Sequence, residues 1–438
     1  MCRRAAFFAP DLADLLPQER GPVGLMLLVT SLILGFIACS SPVALDWQFE
    51  SVAGSVSTPL VTDGFVAFGS EAGLTVLEPD GGLRCLFEAA GEVISAPAFD
   101  GKRIYFGSTN YVFYAVDPNC KLAWKFTTGD RIKSDPLVSG DRVYMSSYDG
   151  HVYALATDTG KQVWRFPEPA LKPPPEAEPP PEARAETETR ARAKSRAEPR
   201  KKKRERKKKR NQRRHRGKRD KEPSPEPAPP PGPPQPAEDD VGEFSYSSPT
   251  LVGGVLYLGN LDHHLYAINA KDGKMLWRFR TEAPITSSPL IIDNTAYVGS
   301  NDGNIYALSL TDVRVLWKVQ TQDWVNSSPL LQGGTLYIGG NDHNLYAIDP
   351  GSGTVKWKFA AVGPLVSVPV VYENLVFIAG GSGDGNVYAI DQSTQKTFWT
   401  FQTGGKVESD PVLVGNRLYV TCSDRHLYVF EIRRTRSS

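Results

Sequence analysis

Cysteine is scarce in this chain: five in 438 residues, no two adjacent and none in a C-x-x-C-H run. Covalent haem attachment is thereby excluded. The sequence also has no P-loop, no glycine-rich phosphate cradle and no recognisable Ser/His/Asp triad. Its net charge of +1 has no dominant sign, but that balance hides a division. Between Pro167 and Asp240 there are 22 Lys and Arg against 14 Asp and Glu, leaving 28 against 35 elsewhere. The same segment holds 18 of the 35 prolines and almost no large apolar residue after Leu171. It cannot bury enough surface to offset its ordering entropy, so residues 167–240 read as a disordered insertion.

That insertion carries the tract KKKRERKKKRNQRRHRGKR, with Lys201, Lys202, Lys203, Arg204, Lys207, Lys208, Lys209 and Arg210 at its start. Alone it reads as a nuclear-localisation tract or a nucleic-acid arm. The N-terminus argues otherwise. Val23–Ala38 is an uncharged apolar run, short for a spanning helix and suited to a signal-peptide core. It ends in GFIAC, where Cys39 stands as a lipobox cysteine. We therefore expect a lipoprotein signal over 1–38, lipidation at Cys39, and a tether over 39–46 reaching at most about 23 Å from Ser40. An uncleaved anchor is the alternative, and it too exports the body. Nucleic acid is then not an expected partner. An anionic lipid or lipopolysaccharide surface is, at about 1 kcal/mol per basic residue before screening. Cys85, Cys120 and Cys422 remain in the body, and one disulfide among them is open, with the pairing undetermined.

Internal repeats decide the fold. The unit SSPLLQGGTLYIGGNDHNLYAIDPGSGTVKWKF recurs, and its proline falls at Pro59, Pro97, Pro136, Pro249, Pro289, Pro329, Pro369 and Pro411. Each proline follows, at one fixed distance, a member of the column Trp47, Cys85, Trp124, Trp277, Trp317, Trp357 and Trp399. Only the step from Trp164 to Pro249 breaks that rule. The surplus sequence thus lies in that one connection. Apolar residues alternate with period two within each unit, giving four short strands. Eight such units predict an all-β, eight-bladed propeller of four-stranded blades. Blades one to three fall in 47–166 and blades four to eight in 241–432, with a tail over 433–438. The last unit lacks its Trp strand and a spare one, Trp47–Glu50, precedes the first. That spare strand should complete blade eight and close the ring.

The spacing A-x-D-x-x-x-G-x-x-x-W is complete at Ala347, Asp349, Gly353 and Trp357, and nearly so at Ala154, Gly160, Trp164 and at Ala267, Gly273, Trp277. This resembles the tryptophan-docking motif of the PQQ-type, quinoprotein-like propellers. The resemblance implies that each Trp packs between its own blade's Ala and the next blade's backbone. One branch of that family comprises PQQ- and calcium-dependent dehydrogenases, which stack the cofactor on vicinal cysteines. This chain has none, so no cofactor and no enzymatic activity are expected. The other branch is non-enzymatic and includes BamB-like lipoproteins of the outer membrane. Similarity to these implies a periplasm-facing, lipid-anchored scaffold that docks on a barrel-assembly machine.

One further constellation needs weighing. His151, His264 and His426 share a repeat column, His263 and His343 the next, beside Asp149, Asp262, Asp302, Asp342, Asp384 and Asp424. A His/Asp ring suggests a metal. The competing reading is that Asp-X pairs make tight hairpins, and it is preferred because the columns repeat around the ring. No metal site is expected. The repeated tyrosines read as blade packing, and the Ser-Ser-Pro and Ser-Asp-Pro runs as the starts of channel-lining strands.

Overall fold

The computed structural model describes residues 42–54, 57–167 and 247–433. The chain divides into two units, residues 1–166 with 241–438, and residues 167–240. The expected signal peptide, Cys39, the basic arm and nearly all of the insertion and tail lie outside the described residues. In the first unit, 32 strands form eight antiparallel sheets of four. This is the eight-bladed propeller that the repeat predicts.

Blade one shows why the sequence folds so. Its strands pair in chain order: β2 (Leu60–Val61), β3 (Val66–Ser70), β4 (Gly73–Leu77) and β5 (Leu83–Glu88). Every residue of β3 and β4 is buried, because a neighbouring blade covers each face. Outer strands sit at the rim, and there burial alternates with the pleat, as in Met275–Arg280 and Val355–Ala360. In six blades a register shift follows the Ala of the third strand, for instance between Ala154 and Leu155 and between Ala267 and Ile268. These bulges strengthen the local twist just where the Trp strand pairs.

No single core fills the ring. The buried apolar residues fall into eight clusters, and each spans two neighbouring blades. The seam between blades three and four is intact despite the insertion. Tyr144, Val152 and Trp164 meet Leu256, Tyr266 and Ile268 there.

The N-terminal strand completes blade eight, as the strand count requires. It is β1 (Val43–Glu50), and it pairs antiparallel with His426–Ile432. The strand begins at Val43, earlier than the tether boundary at Asp46 anticipates. Val43 is buried in the seam between blades seven and eight, and a bulge between Leu45 and Trp47 restores the pleat. The stretch from Ser40 to the strand is therefore short, about 10 Å at full extension.

Candidate functional site

Each tryptophan strand clasps the following blade. The register places Trp164 opposite Ala154, Trp277 opposite Ala267 and Trp357 opposite Ala347 within its own blade. The indoles of Trp47, Trp124, Trp164 and Trp317 then meet a glycine of the next blade, whereas Val313 and Gln395 hold that position after Trp277 and Trp357. A Cβ on Gly160 would lie 2.5 Å from the Trp124 ring, one on Gly273 2.8 Å from Trp164, and one on Gly353 2.7 Å from Trp317. These glycines also have φ of +69°, +73° and +73°, so two constraints select them. The indole N–H donates across the same seam: Trp124 Nε1 to Thr157 O at 2.8 Å, Trp164 Nε1 to Ala270 O at 3.0 Å and Trp317 Nε1 to Pro350 O at 2.9 Å. Asp349 makes no clasp contact of its own. It caps its turn, accepting from the Ser352 hydroxyl at 2.9 Å and from the Ser352 and Gly351 amides at 2.9 and 3.2 Å. The hydroxyl first, and then the amides, lower its carboxyl below the usual range.

The hairpin aspartates are consumed structurally. Asp149 Oδ1 accepts the His151 amide at 3.1 Å, and Oδ2 accepts the Tyr153 hydroxyl at 2.7 Å. The same Oδ2 accepts the Gly129 amide, 2.7 Å away in the incoming connection. Asp302, Asp342 and Asp424 repeat this scheme with Tyr306, Tyr346 and Tyr428. Burial first, and the carboxylate second, push the Tyr266 phenol up to about 12. His263 and His343 occupy the turn position at φ of +72° and +67°, where Gly150, Gly303 and Gly385 stand in other blades. His151, His264 and His426 turn Nδ1 towards the carbonyl two residues back. Among the described residues no cluster of three or more His, Cys, Asp or Glu is arranged to hold a metal.

The inner strand starts make a belt around the axis. Ser57, Ser95, Ser134, Ser247, Ser287, Ser327, Ser367 and Ser409 are all buried, one per blade. Most bind the end of the second strand in their own blade; Gly299 N donates to Ser287 Oγ at 2.9 Å, for example. The next residue links blades. Ala96 N donates to Asp135 Oδ1 at 2.6 Å, Asp135 N to Ser248 Oγ at 3.0 Å, Ser248 N to Ser288 Oγ at 3.0 Å and Ser288 N to Ser328 Oγ at 2.8 Å. Val368 N donates to Asp410 Oδ1 at 2.6 Å, and Asp410 N to Thr58 Oγ1 at 2.9 Å. The belt breaks only where Val368 and Ala96 offer no side-chain acceptor.

Two carboxylates share this narrow ring. Enclosure by protein is the main cause that pushes Asp410 up to about 7; the Val368 amide opposes it and the Asp135 charge adds to it. Asp135 is raised as well, again by burial first. The folded state thus holds the Asp410 proton more tightly than the unfolded chain does. That stabilisation is complete below about pH 4 and is lost as pH rises through about 7. The melting temperature should accordingly be lower at pH 8.5 than at pH 5.5. Asp410→Asn keeps the acceptor for Val368 and should shrink the difference. A thermal melt series that leaves the difference unchanged in the variant would remove Asp410 as its source.

Comparison with known proteins places this geometry. The family model described as outer membrane protein assembly factor BamB matches residues 44–181, 237–361, 316–381 and 360–437, well over half of the chain. The chain belongs to the BamB family. A BamB of Burkholderia pseudomallei is 28% identical over 113 residues, 26% of this chain and 30% of that protein. A BamB of Marinobacter adhaerens is 44% identical over 46 residues, 9% of this chain and 12% of its own length. The chain therefore spans less than a third of either curated relative in these matches. Among solved structures, BamB from Moraxella catarrhalis superposes with a TM-score of 0.63 at 14% identity, covering 89% of this chain and 99% of that one. The designed protein Ika8 and Saccharomyces cerevisiae Sqt1 each give 0.63 at 12% identity. Those three likenesses show the propeller fold alone.

On this BamB-family ring, Ala154, Gly160, Trp164, Ala267, Gly273, Trp277, Ala347, Gly353 and Trp357 all lie at blade seams. They are dispersed around the rim and form no common pocket. The channel belt and its carboxylate pair were not singled out from the sequence. Asp135 and Asp410 stand in the two Ser-Asp-Pro runs, 275 residues apart and in blades three and eight. Only the closed ring sets both on one belt, in non-adjacent blades.

Proposed function

We propose that this chain is a non-enzymatic scaffold lipoprotein of the cell envelope that assists outer-membrane protein assembly by docking on a barrel-assembly complex. The match to the BamB family model over both halves of the ring carries this reading. Fold alone would not. The polar side chains that resemble a site are taken up by turns, seams and the belt, which leaves the loop-bearing surface as the functional part. A disulfide between Cys85 and Cys120 fits an oxidising compartment. So does a lipobox at Cys39, which would hold β1 within about 10 Å of its anchor.

Affinity capture from solubilised membranes tests the proposal. The full chain should retain an outer-membrane barrel-assembly complex, and deletion of the gene should lower outer-membrane protein levels. Unchanged levels together with an empty capture would sink it. The basic composition of Arg200–Arg219, with 15 Lys and Arg, favours a second role as an adaptor for an anionic surface. A chain lacking residues 167–240 separates the two. Capture of the assembly complex should survive the deletion, whereas salt-sensitive binding to anionic vesicles should disappear.

A further inference from the structure

Seven of the eight positions in the clasp column are tryptophan, and the eighth is Cys85. Its counterpart on the next blade should be the residue four positions before Trp124, where other blades place Gly81, Gly160, Gly273 and Gly353. That residue is Cys120, with φ of +62°, in the same left-handed region as those glycines. Cys85 and Cys120 are joined by a disulfide, with Cα atoms 6.1 Å apart. The substitution is therefore paired: where the indole is missing, so is the glycine that receives it. A third detail agrees. Cys85 Sγ lies 3.8 Å from Pro118 O, at the same sequence offset at which Trp124 and Trp317 find their carbonyl acceptors.

We infer that the Cys85–Cys120 bond is a redox-conditional clasp, so that the seam between blades one and two is secured only in an oxidising compartment. Reduced, that seam has neither an indole in a glycine seat nor a covalent link at its rim. Inner contacts remain, including Phe87 against Phe106 and Tyr114 at 5.8 and 5.2 Å, so the loosening is confined to the outer strands. Both cysteines are half-buried rather than sealed, which leaves them reachable. Closure needs a two-electron acceptor, and a protein thiol–disulfide oxidant is the class that fits. The thiolate of one cysteine attacks the oxidant's disulfide and releases one of its thiols. The other then displaces the second sulfur from the mixed disulfide. The chain gains one S–S bond, and the oxidant leaves as a dithiol carrying the two electrons and two protons.

Other disulfides in proteins stabilise through the loop they close, but a clasp makes a sharper demand. Reductant should lower the melting temperature of the full chain by on the order of 5–10 °C, given a sequence separation of 35 between the cysteines. Amide exchange should accelerate in Leu83–Glu88 and Leu122–Thr127 while the Trp164 seam is unaffected. The decisive variant is Cys85→Trp with Cys120→Gly, which restores the pairing used elsewhere. It should regain at least half of the lost melting temperature and ignore reductant. Should that variant fail to fold, Cys85→Ser with Cys120→Ser must reproduce the reduced exchange pattern. Alkylation mapping confirms which thiols are free, since Cys422 is buried and unpaired in a disulfide. Exchange that rises equally at every seam would overturn the clasp. So would a reduced pair with an unchanged melt.

Discussion

A chain beginning at Ser51 will lose its cooperative thermal transition and aggregate, whereas one beginning at Pro42 will melt like the full protein. Residues 43–50 supply the outermost strand of blade eight and nothing replaces them. Val43 is buried, and Trp47 and Phe49 pack against Phe68, Tyr419 and Leu427 in the seam with blade one. At about 1.5–3 kcal/mol for each large apolar side chain, these contacts contribute on the order of 5 kcal/mol or more. That is comparable with the whole stability of an ordinary domain. The exposed pairs Arg417–Asp46 and Arg425–Glu50 add little to it. Deletion also bares the edge of His426–Ile432, a run with Leu427, Val429 and Phe430 fully buried in the intact ring. An uncovered apolar edge of this kind pairs with other chains. Light scattering alongside far-UV circular dichroism separates the two truncations. Equal melting of both would show that the ring does not depend on this strand.

Gly273→Ala will destabilise far more than Gly253→Ala. Both glycines have positive φ, +73° and +59°, so each substitution incurs a similar backbone strain of about 1–2 kcal/mol. They differ in what the new methyl meets. At Gly253 nothing lies within 4 Å, while at Gly273 the Cβ would come within 2.8 Å of the Trp164 ring. Trp164 is nearly buried and fixed by its hydrogen bond to Ala270 O, so the ring cannot swing aside without losing that bond. Overpacking adds about 1–3 kcal/mol at such a site. The total at Gly273 should reach about 3 kcal/mol by chemical denaturation, against about 1 kcal/mol at Gly253. Val313 and Gln395 hold the same column at φ of +52° and +57°, so the backbone strain by itself is tolerable there. Superimposable denaturation curves for the two variants would mean that the clasps are not tight.

The propeller was legible because its signals are local and repeated. The constant spacing from Trp to Pro located both the blade count and the inserted segment without any structure. Legibility ended where partnership crosses between repeats. The docking motif was read within one repeat, Ala347 through Trp357, although the glycine serves the tryptophan of the blade before it. Had that offset been recognised, Cys85 in one column and Cys120 in the other would have named the disulfide among three candidates. Val43–Asp46 read as tether because its alternation is short and lies outside the repeat. The raised carboxyl of Asp410 was out of reach for another reason. It depends on enclosure at the axis and on Asp135 in a non-adjacent blade, and neither is encoded in local spacing.

Closing a ring with its first strand has a consequence in time. Val43 pairs with Ile432, close to the other end of the chain. At roughly 5–20 residues per second, synthesis separates the two by roughly 20–80 s. Throughout that interval β1 has no partner, and the rim of blade one faces a blade that does not yet exist. A protein built this way cannot complete its ring before Ile432 emerges, and until then it must be kept from joining its neighbours. Its dependence on holding factors should thus exceed that of a domain whose ends meet early.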